Sequence, residues 1–221
     1  EGNAVLFNFD GKVGAIGRIP GWAKSIFSIQ VIRFDPRTRM PERGADGFCI
    51  PCEPGEPGEI IFRNADDTAP VVAYFRNPEK TAEAFTGDWF HSGDLATLDE
   101  EGYLTIVDRK KDMIKTGGEN VSGREVEEAI YQLPWVAEVA VIGLPHPHWV
   151  EAVAAVVVPK DEANEQASEQ AVIDFCKQRL AAFKVPKRIL MAQDLPRNPS
   201  GKILKRNLRD THAGVFSSAP E

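Results

Sequence analysis

Five consecutive charged residues, Asp108-Arg109-Lys110-Lys111-Asp112, stand between apolar stretches near the middle of the chain. Such a run does not thread a hydrophobic interior, because an unpaired buried charge costs on the order of several kcal/mol. It reads either as a solvated turn or as a linker between two separately packed units. The length leaves room for the linker: 221 residues allow one large domain or two small ones, at roughly 100–200 residues per domain. The residues on either side of the run also differ in rhythm.

Before it, residues 4–9, 28–34 and 59–63 are apolar or alternating runs bounded by Gly, Pro and Asp, and read as short strands. Residues 37–58 are rich in Pro, Gly and charge and read as a long surface loop. Asn77-Pro78-Glu79 places an N-cap before a proline at the first helical position, which predicts a helix ending near Gly87. Strands near 90–98 and 103–107 follow, joined by the acidic turn Asp99-Glu100-Glu101-Gly102.

After the run, Ser122-Gly123-Arg124-Glu125 is a capping box, and Val126, Ala129, Ile130 and Leu133 recur at helical spacing. Residues 136–144 and 152–158 are strand-like, with β-branched residues concentrated in them. Ile173, Cys176, Leu180 and Phe183 fall on one helical face; 188–195 reads as a strand, 202–210 as a short final helix, and 213–221 as a tail without a core pattern. This order describes an α+β unit of about 110 residues, large enough for its own core.

Composition narrows the function classes. Apolar residues make up 43% and charged residues 27%, the balance of a globular chain. The longest apolar run, residues 152–158, is far shorter than the roughly 20 residues of a membrane-spanning helix. No basic-then-apolar targeting segment opens the chain, which starts at Glu1 and enters an apolar stretch almost at once, as a piece cut from a longer protein does. A net charge of −7 argues against general nucleic-acid binding. Yet ten basic residues and one acid, Asp194, lie between Lys177 and Arg209. That is either a solvated basic helix or a surface that meets a polyphosphate or another anion. Three cysteines make no disulfide framework and suit a reducing, cytosolic compartment.

Cys49-Ile50-Pro51-Cys52 has the spacing of a redox pair or half a zinc site, but it sits in a Pro/Gly-rich loop with no second pair and reads as coincidence. His146-Pro147-His148 is too short and isolated for a metal site and reads as a loop between strands. In Thr116-Gly117-Gly118-Glu119-Asn120 the paired glycines fit either a tight hairpin turn or a close backbone approach to a ligand. Pro196-Arg197-Asn198-Pro199-Ser200-Gly201-Lys202 is a Pro-bounded loop that presents one lysine at an expected helix start. That position disfavours a cation for stability and suits contact with an anion. Ser92-Gly93-Asp94 ends a strand with an acid that either accepts from ribose hydroxyls or closes a simple turn.

Taken in order, Gly58-Glu59-Ile60-Ile61, Phe90-His91-Ser92-Gly93-Asp94-Leu95, Gly102-Tyr103-Leu104, the run from Asp108 to Lys115, Gly117-Gly118-Glu119-Asn120 and the loop ending at Lys202 resemble the C-terminal part of the adenylate-forming superfamily. That superfamily holds acyl-CoA synthetases, luciferases and peptide-synthetase adenylation domains. Glu1-Gly2-Asn3, Gly14-Ala15-Ile16-Gly17-Arg18 and Gly47-Phe48-Cys49-Ile50-Pro51 are similar to the fatty-acid-transport-protein and very-long-chain acyl-CoA synthetase branch.

The resemblance implies an α+β chain in which residues 1–110 end the large AMP-binding domain, as a β-rich subdomain, and 111–221 form a small mobile C-terminal domain with a disordered tail. It implies an ATP-dependent ligase that makes an acyl-adenylate from a carboxylic acid, a fatty or other bulky hydrophobic one, releases pyrophosphate and transfers the acyl group to coenzyme A. The alternatives are loading of a carrier protein and a lipid-uptake module whose basic segment meets anionic membrane. By the same resemblance Asp94 and Arg109 hold the ATP ribose, Lys202 reaches the carboxylate and α-phosphate, and Lys111 is the hinge. Gly117, Gly118 and Glu119 line the coenzyme A channel, and Glu1 holds Mg²⁺. The expected partners are the acid, ATP and coenzyme A, not nucleic acid. The expected location is cytoplasmic, with peripheral membrane contact as a further option. With the upstream phosphate loop and most of the acyl pocket missing, these residues alone are not expected to run the full reaction.

Overall fold

The computed structural model describes residues 6–23, 27–35, 38–64, 76–86, 89–160 and 167–217. The chain divides into two compact units, Glu1–Lys111 and Asp112–Glu221.

The first unit is an antiparallel sheet. β1 (Phe27–Ile32) pairs along its length with β2 (Gly58–Asn64), and β2 pairs with the ten-residue β4 (Trp89–Leu98). β4 also pairs with the two-residue β3 (Phe85–Thr86) at its start and with β5 (Leu104–Arg109) at its end. Val31, Ile60, Ala96 and Leu104 form the buried centre, with Ile29, Phe62, Leu98 and Ile106 packed against it. The predicted acidic turn is a built one: Asp99 Oδ1 accepts from the backbone N–H groups of Glu101 and Tyr103 at 3.0 and 2.8 Å.

Helix α1 (Pro78–Ala84) begins as predicted, with the Asn77 carbonyl accepting from Thr81 N at 3.1 Å. It stops short of Gly87 because Phe85 is drawn back onto β4, its ring 5.3 Å from that of Phe90. The loop over 37–58 is also more ordered than its composition implies. Phe34 pairs with Pro41, Arg43 with Cys49, and Ile32 with Pro51, so its described part folds back along β1. Cys49 and Cys52 are free thiols on that arm, and burial pushes the Cys52 thiol up to about 11, the opposite of a redox-active cysteine.

The second unit is a mixed sheet covered on both faces. Its strands are β6 (Ile114–Thr116), β7 (Glu119–Val121), β8 (Val136–His146), β9 (Val150–Pro159) and β10 (Arg188–Met191), in the order β10-β9-β6-β7 with β8 also on β9. β10 runs parallel to β9 and the remaining pairs are antiparallel. Val139, Val141, Val153, Ala155 and Val157 pack with residues of helices α2 (Gly123–Ile130) and α3 (Glu169–Lys177). The alternating residues Ala140, Ile142, Leu144, Ala154 and Val156 pack on the other face with Leu208 of α4 (Lys205–His212) and with Phe216. A strand buried on both faces has no polar side to show, which is why 152–158 reads as one unbroken apolar run.

The capping serine is used as expected, Ser122 Oγ accepting from Glu125 N at 3.3 Å, and the Glu125 carboxylate also takes Lys184 Nζ at 2.6 and 2.7 Å. Four expectations change here. Helix α3 ends at Lys177, so Phe183 lies 38% exposed and Val185 enters the core in its place. β10 closes at Met191, after which the chain turns to bury Leu195 in the second core. The last helix starts at Lys205 rather than Lys202. The tail over 213–221 does carry a core residue: Phe216 is 8% exposed, with its ring edge-on to His146 at 5.3 Å. Residues 218–221 lie outside the described residues.

Candidate functional site

The central charged run is not the uniformly solvated stretch its composition implies. Asp108 is buried and its Oδ1 accepts from Arg109 N at 2.7 Å. Lys110 reaches the buried Glu59 at 2.7 Å, and Asp112 takes Arg209 Nη2 at 2.8 Å. Pairing, not hydration, accommodates these charges. Lys111, between the two anchored neighbours, is exposed.

Asp94 and Arg109 face each other across the β4–β5 pair, with Arg109 Nε 3.0 Å from Asp94 Oδ1. Both remain partly open to solvent, Asp94 at 32% and Arg109 at 43% of their side chains. Asp94 is aimed by a bulge. Between the pairs Glu59↔Leu95 and Ile61↔His91, β2 contributes one residue and β4 contributes three, Ser92, Gly93 and Asp94. Gly93 takes φ +70°, which a side chain adopts only under strain. Ser92 Oγ donates to Ile60 O at 2.8 Å and accepts from Asp94 N at 3.1 Å, so it fixes the loop. The partly open carboxylate–guanidinium pair offers acceptors and donors to a polyol edge such as a ribose.

Beside this pair lies a cluster to which sequence reasoning gave no role. The Glu59 carboxylate, 3% exposed, takes Lys110 Nζ at 2.7 Å and lies 3.2 Å from His91 Nδ1. Burial by itself raises a carboxyl pKa, but the hydrogen bonds from His91 and Lys110, with the Lys110 charge, outweigh it and hold Glu59 below its ordinary range. The signal available in sequence was a carboxylate set between Gly58 and Ile60-Ile61 in an apolar strand.

In the second unit, Gly117 and Gly118 form the two-residue turn of the β6–β7 hairpin, at φ +58° and +89°. Two successive positive φ values are what such a turn demands. Gly117 N donates to Trp149 O at 3.1 Å, so the turn is pinned to the tip of the β8–β9 hairpin. Gly117, Gly118 and Glu119 are all exposed, and no atom lies within 4 Å of where a Gly118 side chain would begin.

Lys202 sits on a loop closed by the bridge Arg197↔Ile203. Asn198 Oδ1 accepts from Ser200 N, Ser200 Oγ and Lys202 N at 3.1, 2.8 and 2.8 Å, and Asn198 N donates to Lys202 O at 2.9 Å. Lys202 precedes the Leu204 N-cap, so it is presented by the loop and not by a helix end. The basic segment around it is largely neutralised. Lys177, Lys184, Arg188, Arg197, Lys205, Arg206 and Arg209 pair with acids, while Arg179 and Lys187 lie over the rings of Phe175 and Trp149. Lys202 is exposed, and among the described residues no acid or ring holds its ammonium.

Glu1, the expected Mg²⁺ ligand, lies outside the described residues, and among the described ones no group of three His, Cys, Asp or Glu side chains could hold a metal ion. No helix among them is long and apolar enough to cross a membrane.

Comparison with known proteins shows the family of the chain. The profile of the AMP-binding enzyme C-terminal domain matches residues 125–202. The long-chain-fatty-acid–CoA ligase FadD13 of Mycobacterium tuberculosis is 46% identical over 178 residues, 80% of this chain and 34% of the relative. Feruloyl-CoA synthase of an Amycolatopsis species is 45% identical over 85% of this chain and 36% of its own length. The chain thus spans about a third of the length of these curated relatives. Among solved structures, ATP-bound MatB from Rhodopseudomonas palustris is similar with a TM-score of 0.75 and 35% identity, over 92% of this chain and 36% of that one. A Mycobacterium tuberculosis fatty acyl CoA synthetase is similar with a TM-score of 0.56 and 40% identity, over 93% of this chain and 36% of that one. Residues 125–202 are an AMP-binding enzyme C-terminal domain, and the chain belongs to the C-terminal part of the adenylate-forming enzymes.

Proposed function

We propose that this chain is the C-terminal part of an ATP-dependent acyl-CoA ligase that converts a carboxylic acid and ATP into acyl-adenylate and pyrophosphate, then transfers the acyl group to coenzyme A with release of AMP. The observation that carries the reading is Lys202. It is the one basic side chain of its segment without an acidic or aromatic partner among the described residues, on a loop that five hydrogen bonds and a bridge make rigid. An uncompensated cation carried on an anchored backbone suits carboxylate attack at the α-phosphorus, since negative charge gathers there as the bond forms.

Asp94 and Arg109 take the ribose hydroxyls in the first unit, where the bulge aims the carboxylate. The Gly117-Gly118 turn lines the pantetheine path in the second, because a backbone without side chains leaves room for a thiol-bearing chain. Lys111 is the hinge that brings Lys202 and the glycine turn to the reaction in succession. Mg²⁺ would bind at Glu1 and neutralise phosphate charge. The acid is a fatty or other bulky hydrophobic one, in line with relatives named for long-chain fatty and feruloyl substrates. Three free thiols suit a cytosolic enzyme.

The test is a panel of carboxylic acids on the full-length enzyme, following AMP release with and without coenzyme A. Release that depends on coenzyme A supports the ligase. Release that instead requires a carrier protein moves the activity to carrier loading, and no adenylation of any acid removes the reading.

A further inference from the structure

We propose that Glu59 is a positioning residue of the nucleotide site, which sets the Asp94–Arg109 pair through His91 and Lys110; this rests on the ribose role given to that pair above. A carboxylate buried in the middle of a sheet is rarely the most stable choice for its position, because ions pay a desolvation penalty that an apolar side chain avoids. The geometry shows what the charge does instead. Across Ser92–Asp94 the β2–β4 pairing skips, so on the β2 side the segment that carries Asp94 lacks a regular ladder, and the Asp94↔Arg109 pairing with β5 holds it on the other.

Glu59 stands at the edge of that gap and reaches both His91 on β4 and Lys110 beyond β5. Its Oε2 lies 3.2 Å from His91 Nδ1, on β4 where the bulge begins, and 2.7 Å from Lys110 Nζ, just past the end of β5. Lys110 adjoins Arg109 in the chain, and its backbone N donates to Gly93 O at 2.9 Å, next to Asp94. One carboxylate therefore links the segments that bear the two halves of the pair. The Lys110 ammonium also lies 5.8 Å from the Phe34 ring centroid, within reach of a weak cation–π attraction. Glu59 itself touches neither Asp94 nor Arg109 in any hydrogen bond among the described residues, so its effect passes through its two partners.

A positioning role and a merely structural one differ in what they do to a nucleotide that lacks the hydroxyls. The experiment compares ATP with 2′,3′-dideoxy-ATP in acid-dependent pyrophosphate exchange by the full-length enzyme, as wild type, Glu59→Gln and Lys110→Gln. In Glu59→Gln the KM for ATP should rise about tenfold, as expected for a lost charged hydrogen bond, with kcat within about threefold and the KM for the dideoxy nucleotide within about twofold. Lys110→Gln, which leaves Glu59 with His91, should show the same selectivity at about threefold and serves if Glu59→Gln does not fold. An equal rise for both nucleotides, or no rise, in the folded variants overturns the proposal while leaving the ribose reading in place. A wild type that uses both nucleotides alike overturns the ribose reading and the proposal with it.

Discussion

Lys202 is rigid in its backbone and exposed at its tip, and that contrast makes its removal informative. Lys202→Ala in the full-length enzyme should slow adenylate formation by about 10²–10³-fold, the usual cost of losing one preorganised charge, and slow thioester formation from supplied acyl-AMP far less. Measuring the half-reactions separately decides it; equal losses count against the role. Gly118 needs a more careful substitution. Its φ of +89° strains any side chain by roughly 1–3 kcal/mol, so Gly118→Leu adds both backbone strain and bulk. Gly118→Asn carries much of the same strain with less volume. If the turn lines the pantetheine path, Leu should reduce thioester formation well below Asn, with pyrophosphate exchange similar in the two. Glu59 gives a prediction in stability. Its carboxyl is held below the ordinary value of 4.5 in the folded chain, so its contribution is complete above that value and is lost as pH falls through the lower folded value. Acid titration of wild type and Glu59→Gln should show curves that converge below pH 4.5; a gap of constant width would remove the charge from the account. Asp94, Arg109 and Lys202 were singled out in the sequence because motifs contain them, and the structure pairs the first two across β4 and β5. Glu59 stands in such a motif too, but its contacts with His91 and Lys110 depend on a skipped register that no local pattern displays.

Elements with one strong local cause read well from sequence, and those decided by distant packing did not. Asn77-Pro78 and Ser122 start helices through bonds to their own neighbours, so α1 and α2 begin where predicted. The unbroken apolar run of β9 was equally plain. By contrast, the end of α1 depends on Phe85 meeting Phe90, and the end of α3 on Val185 rather than Phe183 filling the first core. Phe216 is the clearest case. It stands alone in a polar tail, and only the second face of the sheet explains its burial. Phe216→Ala should lower stability by about 3 kcal/mol through the cavity it leaves, read as a fall in denaturation midpoint. A midpoint unchanged from wild type would return the segment to an unpacked tail. The basic stretch shows what a count along the chain leaves out, namely the acids that folding brings beside it.

At the scale of the whole molecule, the division after Lys111 lies between two anchored residues. Lys110 is tied into the first unit through Glu59, and Asp112 into the second through Arg209. A pivot confined to the residue between them has few torsions to use, so fixing one of those torsions should have a large and lopsided effect. Lys111→Pro fixes φ near −65° and removes one donor without touching either core. In the full-length enzyme one half-reaction should fall by about a hundredfold while the other falls by less than roughly tenfold, with the thermal midpoint unchanged. Two near-normal half-reactions would make Lys111 an ordinary turn residue.

The ion pairs of the second unit also imply an order of events in synthesis. Residues 112–183 carry twelve acidic and five basic side chains, whereas residues 184–221 carry eight basic and three acidic. Asp112, Glu125, Glu127 and Glu138 leave the ribosome well before Arg209, Lys184, Lys205 and Arg197, their partners in the finished fold. Residues 112–183 thus carry an excess of negative charge until residues 184–221 follow, and the later basic stretch brings the opposite charges together with the core residues Val185, Ile189, Leu195, Leu208 and Phe216.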